Sequence, residues 1–150
     1  MPAGWLKYFL LLLLCVGTRC LTAIYYMEDI DSLRFALAAS DFNIAELRPH
    51  FPGYPVHIFL LQGLYILTGS VGLSFAILGG LATWLILVAA LRIWAHFTAA
   101  PPYLPGILVF FNPLLWLMST RYMPDILGLG LLMIGMGFLL QALTARQLNS

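Results

Sequence analysis

Three carboxylates, Glu28, Asp29 and Asp31, crowd four positions immediately after a long apolar run. Like charges this close raise at least one pKa unless arginines or a metal balance them. A carboxylate tuned in that way at a membrane surface has what a general base needs. Helix capping with headgroup-level solvation is the competing account, because acids favour a helix N-terminus. Capping uses one acid, however, and three are present. Arg121 and Asp125 form a second polar pair, four residues apart. On a helix they would make a salt bridge; functionally, a guanidinium held at the membrane surface can grip a lipid phosphate through its planar fork. His50 and His57 could join acids around a metal, but no recognised ligand spacing supports such a site.

These groups sit in a chain of 150 residues that is 62% hydrophobic and only 9% charged, with a mean hydropathy of +0.95. A typical soluble domain carries roughly 25% charged residues. So few charges exclude a water-soluble globular enzyme and a disordered chain. The formal net charge of +1 offers no surface for nucleic acid. Cys15 and Cys20 share one apolar run, where they read as small apolar side chains and not as a disulfide scaffold. The expected class is an all-α, multi-pass protein of the cell membrane (the inner membrane in a bacterium).

The elements that must position the polar groups follow from the apolar runs. Residues 5–24 are long enough to cross a hydrocarbon core of about 30 Å, with Lys7 and Arg19 near the ends, where long side chains snorkel. A signal peptide is the alternative, but Gly17-Thr18-Arg19-Cys20 is no small-residue cleavage site. Residues 25–70 form a polar surface loop opening on Tyr25-Tyr26, a candidate interface belt. Asp29 or Asp31 caps a short helix with Leu33, Ala36, Leu37 and Ser40 on one face, lying along the membrane surface. Asp41-Phe42-Asn43 breaks it, and Pro52-Gly53 suits the centre of a type II turn.

Pro55 starts the next helix, 56–68, whose thirteen residues rise only about 20 Å, so it is re-entrant or interfacial. Residues 71–94 span, with Gly72, Ala76 and Gly80 forming a small-residue stripe for close helix approach. Residues 103–120 are a marginal crossing that Asn112-Pro113 should kink or break. Residues 126–143 are the last span. Four crossings place all six acids on one side, with Lys7, Arg92 and Arg146 on the other. Both termini then face the cytoplasm, and the acidic loop, with one or two interfacial helices, faces outward.

In this order the motifs resemble the GT-C superfamily of membrane glycosyltransferases: a first span, Glu28-Asp29-x-Asp31, a surface helix, then His50-Phe51-Pro52-Gly53-Tyr54-Pro55. The last stretch is similar to the His-Pro-Pro-Gly-Tyr-Pro segment of an O-mannosyltransferase-like branch, with Phe51 in place of the first proline. Asn112-Pro113 followed by Arg121 and Asp125 is similar to later helices of that module. The resemblance implies an inverting enzyme that moves a sugar from a polyprenyl-phosphate carrier to an acceptor on the non-cytoplasmic face. Asp29, with Asp31 close behind, would be the base and Glu28 its tuning neighbour. Arg121, with Arg48 second, would neutralise the carrier phosphate; Asp125 would orient Arg121 or contact the sugar, and His50 would line the substrate side.

The resemblance names no certain cofactor, and ligand spacing does not support a divalent metal. The partners it implies are the lipid-linked sugar donor, membrane lipid, and the remaining helices of the module or a partner membrane subunit, since the chain matches only the module's N-terminal part. Two other classes fit the same broken helices and membrane-edge charges: a small transporter or flippase subunit, and a non-catalytic assembly subunit.

Overall fold

The computed structural model describes residues 4–101 and 103–148, and among them seven α-helices and no strand. They are α1 (Gly4–Leu21), α2 (Ile30–Ala38), α3 (Pro55–Thr68), α4 (Val71–Phe97), α5 (Tyr103–Phe110), α6 (Pro113–Thr120) and α7 (Asp125–Leu148). Two stretches are long and apolar enough to cross a membrane, Val71–Phe97 and Asp125–Thr144. The α5–α6 pair makes a third if its 48° bend lies within one span.

α4 is the central post, and α1, α3, α5, α6 and α7 all pack on it. Its apolar window is 61% buried, against 17% for that of α7. The stripe Gly72-Ala76-Gly80 works as expected. A methyl group at Gly80 would lie 2.6 Å from the Val16 Cα of α1, and one at Gly72 would lie 2.5 Å from the Ile24 carbonyl. Gly79 serves α6 in the same way, since a methyl there would lie 1.7 Å from the Ser119 carbonyl. Backbones meet where side chains are missing, so the helices approach closely enough for dispersion contacts between them.

Contacts along α4 give each helix its direction. Trp84 donates its indole N–H to the Tyr8 carbonyl at 3.0 Å, while Gly72 meets Ile24, so α1 runs antiparallel to α4. Arg19 meets Ser119, which places the end of α6 beside the end of α1. Gly130 packs against Ala82 and Ile86, and Thr144 bonds His96, so α7 runs parallel to α4. The loop 22–54 and the 121–125 link therefore share one end. Lys7, Arg92 and His96 share the other.

α3 has 14 residues, ends on Gly69 in the left-handed conformation (φ 65°), and reaches only part of the way along α4. Asn112 interrupts the penultimate hydrophobic stretch as expected: its side chain accepts from Leu115 N at 3.1 Å and Pro113 begins α6. Proline cannot donate to the preceding turn, so the helix restarts there instead of continuing.

Three expectations are corrected. α2 buries Ser32, Phe35, Ala36 and Ala38, not Leu33 and Leu37, which are exposed. The ring of Phe35 is the largest apolar group on the helix and takes the inward place, in contact with the rings of Tyr54 and His57. The proline turn closes one residue early. Gly53 N donates to His50 O at 3.0 Å, so Phe51 and Pro52 are its central residues, and the Phe51–Pro52 bond is cis. A cis proline at the third position belongs to a type VI turn, not type II. Arg19, finally, does not snorkel; it is 0% exposed.

Candidate active site

The site is assembled at the end where α1, α4, α6 and α7 bring their loops together. Asp29 caps α2 in extended backbone geometry, and its Oδ1 accepts from Ser32 N at 2.7 Å. Its other oxygen, Oδ2, accepts from the Arg121 Nη2 at 2.7 Å. Glu28 Oε2 lies against Nε of the same guanidinium. One arginine thus balances two neighbouring acids, which is the condition under which crowding does not raise a carboxylate pKa. The Asp29 carboxyl is held below its ordinary value, first by the backbone hydrogen bond from Ser32, then by the Ser32 side chain and by Arg121.

Arg121 does not pair with Asp125, contrary to the local reading of their spacing. Arg121 is the C-cap of α6 and has extended backbone angles (φ −72°, ψ 156°), while Asp125 begins α7. The helical i,i+4 geometry therefore never forms. Tyr122, next to Arg121, stacks on Phe75 at 4.5 Å between ring centroids and donates its hydroxyl to the Ile24 carbonyl at 2.7 Å. These two contacts pin the 121–125 link to both α4 and the start of the acidic loop, and so aim Arg121 at Glu28 and Asp29.

Asp31 belongs to a neighbouring set. Its Oδ1 lies 3.4 Å from Arg34 Nη1 and 3.4 Å from His50 Nδ1. The His50 contact has the distance of an ion pair without the geometry of a hydrogen bond. His50 is braced edge-on against Phe35 and Tyr54. Arg48 is held elsewhere, by Asp41 at 2.7 Å and Glu46 at 2.9 Å. Of the residues singled out in the sequence, Glu28, Asp29 and Arg121 form one cluster, Asp31 and His50 a second beside it. Arg48 and Asp125 join neither. Among the described residues no group of three or more His, Cys, Asp or Glu side chains is gathered for a metal.

Two side chains carry more of the site than their sequence context suggests. Arg19 donates from Nε to Ser119 Oγ at 2.8 Å and from Nη1 to Thr18 Oγ1 at 3.2 Å. Its guanidinium carbon sits 3.9 Å from the centre of the Trp116 ring and 5.5 Å from that of Phe110. The clamp ties α1 to α6 two residues before Arg121. His57, on the first turn of α3, is 5% exposed, and neither ring nitrogen has a partner. It lines a cavity of about 10 Å³ with Phe75, Ser119 and Arg121, roughly the size of one water molecule. Leu78 and Leu127 close that cavity on one side and also line an apolar groove of about 460 Å³ between α3, α4 and α7, with Phe59, Leu60 and Leu64.

No protein-family model, curated protein or solved structure matches this chain.

Proposed function

We propose that the chain is the N-terminal part of a GT-C-type membrane glycosyltransferase, one that moves a sugar from a polyprenyl-phosphate carrier to an acceptor on the non-cytoplasmic face with inversion. In this reading α1, α4, the bent α5–α6 pair and α7 make four crossings, with α2 and α3 in the outer interface. The observation that carries it is the meeting of Arg121 with Glu28 and Asp29, contributed by two loops far apart in the chain. A cation beside a ready carboxylate, at the head of an apolar groove, matches the needs of a lipid-phosphate leaving group. The isoprenoid chain would lie in the groove between α3, α4 and α7.

The roles divide by what each carboxylate touches. Asp29 is engaged on both oxygens, by Ser32 and Arg121, so it positions the guanidinium. Asp31 is engaged through Oδ1, by Arg34 and His50; its Oδ2 takes the proton from the acceptor hydroxyl. The acceptor oxygen forms its bond to the anomeric carbon as the bond to the carrier phosphate breaks. The phosphate leaves with the electron pair, and Arg121 neutralises it.

Transfer of radiolabelled sugar from a polyprenyl-phosphate donor tests this, with the remaining helices of the module supplied on a second chain. Asp31→Asn should lower transfer by about 10²–10⁴-fold, the usual contribution of a general base, while donor binding persists. Asp29→Asn should chiefly weaken donor binding. Full transfer by both variants rejects the assignment.

A further inference from the structure

We infer that the cleft between α1 and α4, at the end opposite the acids, binds the phosphate of an anionic phospholipid. This cleft has a volume of about 430 Å³ and is lined by Lys7, Tyr8, Leu11, Leu91, Arg92 and Trp94 among others. Its two charged groups are both cations, and they come from helices far apart in sequence.

Charge balance sets them, together with Arg146 in the last turn of α7, apart from the other cations. Arg34 has Asp31, Arg48 has Asp41 and Glu46, and Arg121 has Glu28 and Asp29. Arg19 has an aromatic cage. Among the described residues Lys7 and Arg92 have no carboxylate partner, because all six acids of the chain lie in the loop 22–54 or the 121–125 link at the far end. Two like charges facing one cleft at the edge of a low-dielectric slab repel each other. An anion between them removes that repulsion and gains charge-assisted hydrogen bonds from both.

The lining fixes the class of anion. Tyr8 and Trp94 are the residue types that settle at headgroup depth, and Trp94 already commits its indole N–H to the Ala100 carbonyl. Leu11 lies one turn further into the bundle than Lys7 and continues the wall in apolar material. A phosphate with an acyl chain beneath it meets both parts of the cleft, whereas a free anion meets only the cations. A negatively charged leaflet also attracts such basic groups by about 1 kcal/mol each.

The test uses the chain in nanodiscs containing equal amounts of phosphatidylglycerol and phosphatidylcholine with the same acyl chains, and native mass spectrometry of the released protein. The wild type should retain phosphatidylglycerol about tenfold over phosphatidylcholine, the equivalent of roughly 1.4 kcal/mol. Lys7→Gln with Arg92→Gln should abolish that preference, whereas Arg34→Gln, at the other end, should keep it. Equal retention of the two lipids by the wild type overturns the proposal, as does an unchanged preference in the double variant. Displacement of the lipid by millimolar inorganic phosphate overturns it in favour of a free-anion site. Should the double variant fail to fold, the wild-type preference and its persistence in Arg92→Lys decide the matter.

Discussion

Arg121 and Asp29 stand 92 positions apart and meet at 2.7 Å. The contact closes one end of the bundle by joining the link before α7 to the cap of α2. Because Asp29 is also the cap, one carboxylate reports on the state of both.

That dual engagement has a pH signature. The folded-state pKa of Asp29 is depressed, so its contribution to stability is present above the ordinary aspartate value of about 3.9. It is lost as pH falls through the lower, folded value. A ¹³C-carboxyl NMR titration should place Asp29 below the ordinary aspartate value, and Arg121→Gln should shift it upward while the Ser32 hydrogen bond keeps it under that value. An unchanged titration in the variant would mean that the pairing is not formed in solution.

One glycine on α4 and one on α7 make a sharper comparison. Gly79→Ala would drive a methyl group into the Ser119 carbonyl at 1.7 Å, whereas a methyl at Gly137 has nothing within 4 Å. The first should destabilise by about 3 kcal/mol or prevent folding, as overpacking against rigid backbone does. The second should be neutral or gain up to about 1 kcal/mol from helix propensity. Thermal denaturation of both variants in one detergent checks the contrast.

Much of this frame was readable from residue types. Asn112-Pro113 announced a break, Gly72, Ala76 and Gly80 announced a close neighbour, and the brevity of 56–68 announced a helix that stops short. What could not be read depended on partners distant in the chain. A short helix with Leu33 and Leu37 on one side and Phe35 and Ala36 on the other offers two apolar faces, and periodicity does not rank them. A cation near the end of an apolar run reads as snorkelling; only the arrival of Trp116 and Ser119 from α6 makes Arg19 a buried clamp. Arg121 sits four residues from Asp125, yet its extended backbone hands it to acids of another loop.

The Arg19 clamp yields its own prediction. Ser119→Val leaves the buried Nε without its acceptor and should cost about 1–3 kcal/mol, the penalty for an orphaned polar group. Arg19→Met, which keeps a long side chain against Trp116 and removes the charge, should cost less, since a well-packed apolar replacement of a buried ion is often neutral. Chemical denaturation in detergent micelles ranks the two. A costlier Arg19→Met would show that the cation–π contact outweighs the cost of burying the charge.

The proline turn is testable through Gly53, which holds φ 86°. Any side chain there also meets Ile44, whose Cδ1 would lie 2.7 Å from the new Cβ. Gly53→Val adds β-branching to a backbone region that branched residues avoid, and should cost about 1–3 kcal/mol. Gly53→Asn should cost less, because asparagine tolerates positive φ. Ile44→Ala should relieve part of both losses, and additivity instead would show that the contact is not made.

His57 supplies the last prediction. Burial pushes its imidazole down to about 4, from an ordinary value near 6.5. Between those two values the unfolded chain holds a proton that the folded chain refuses. Stability from this group is therefore complete above about pH 6.5 and is lost as pH falls toward 4, at up to about 1.4 kcal/mol per pH unit. His57→Leu removes the titration and also the two unpartnered ring nitrogens. The variant should match or slightly exceed the wild type at pH 7, where burying an unsatisfied imidazole costs the wild type stability, and should lose less on acidification. Denaturation midpoints measured from pH 7 to pH 4.5 compare the two slopes. Equal slopes would mean that His57 finds a proton partner in the folded state, and that the cavity beneath Arg121 is open enough for the imidazole to charge.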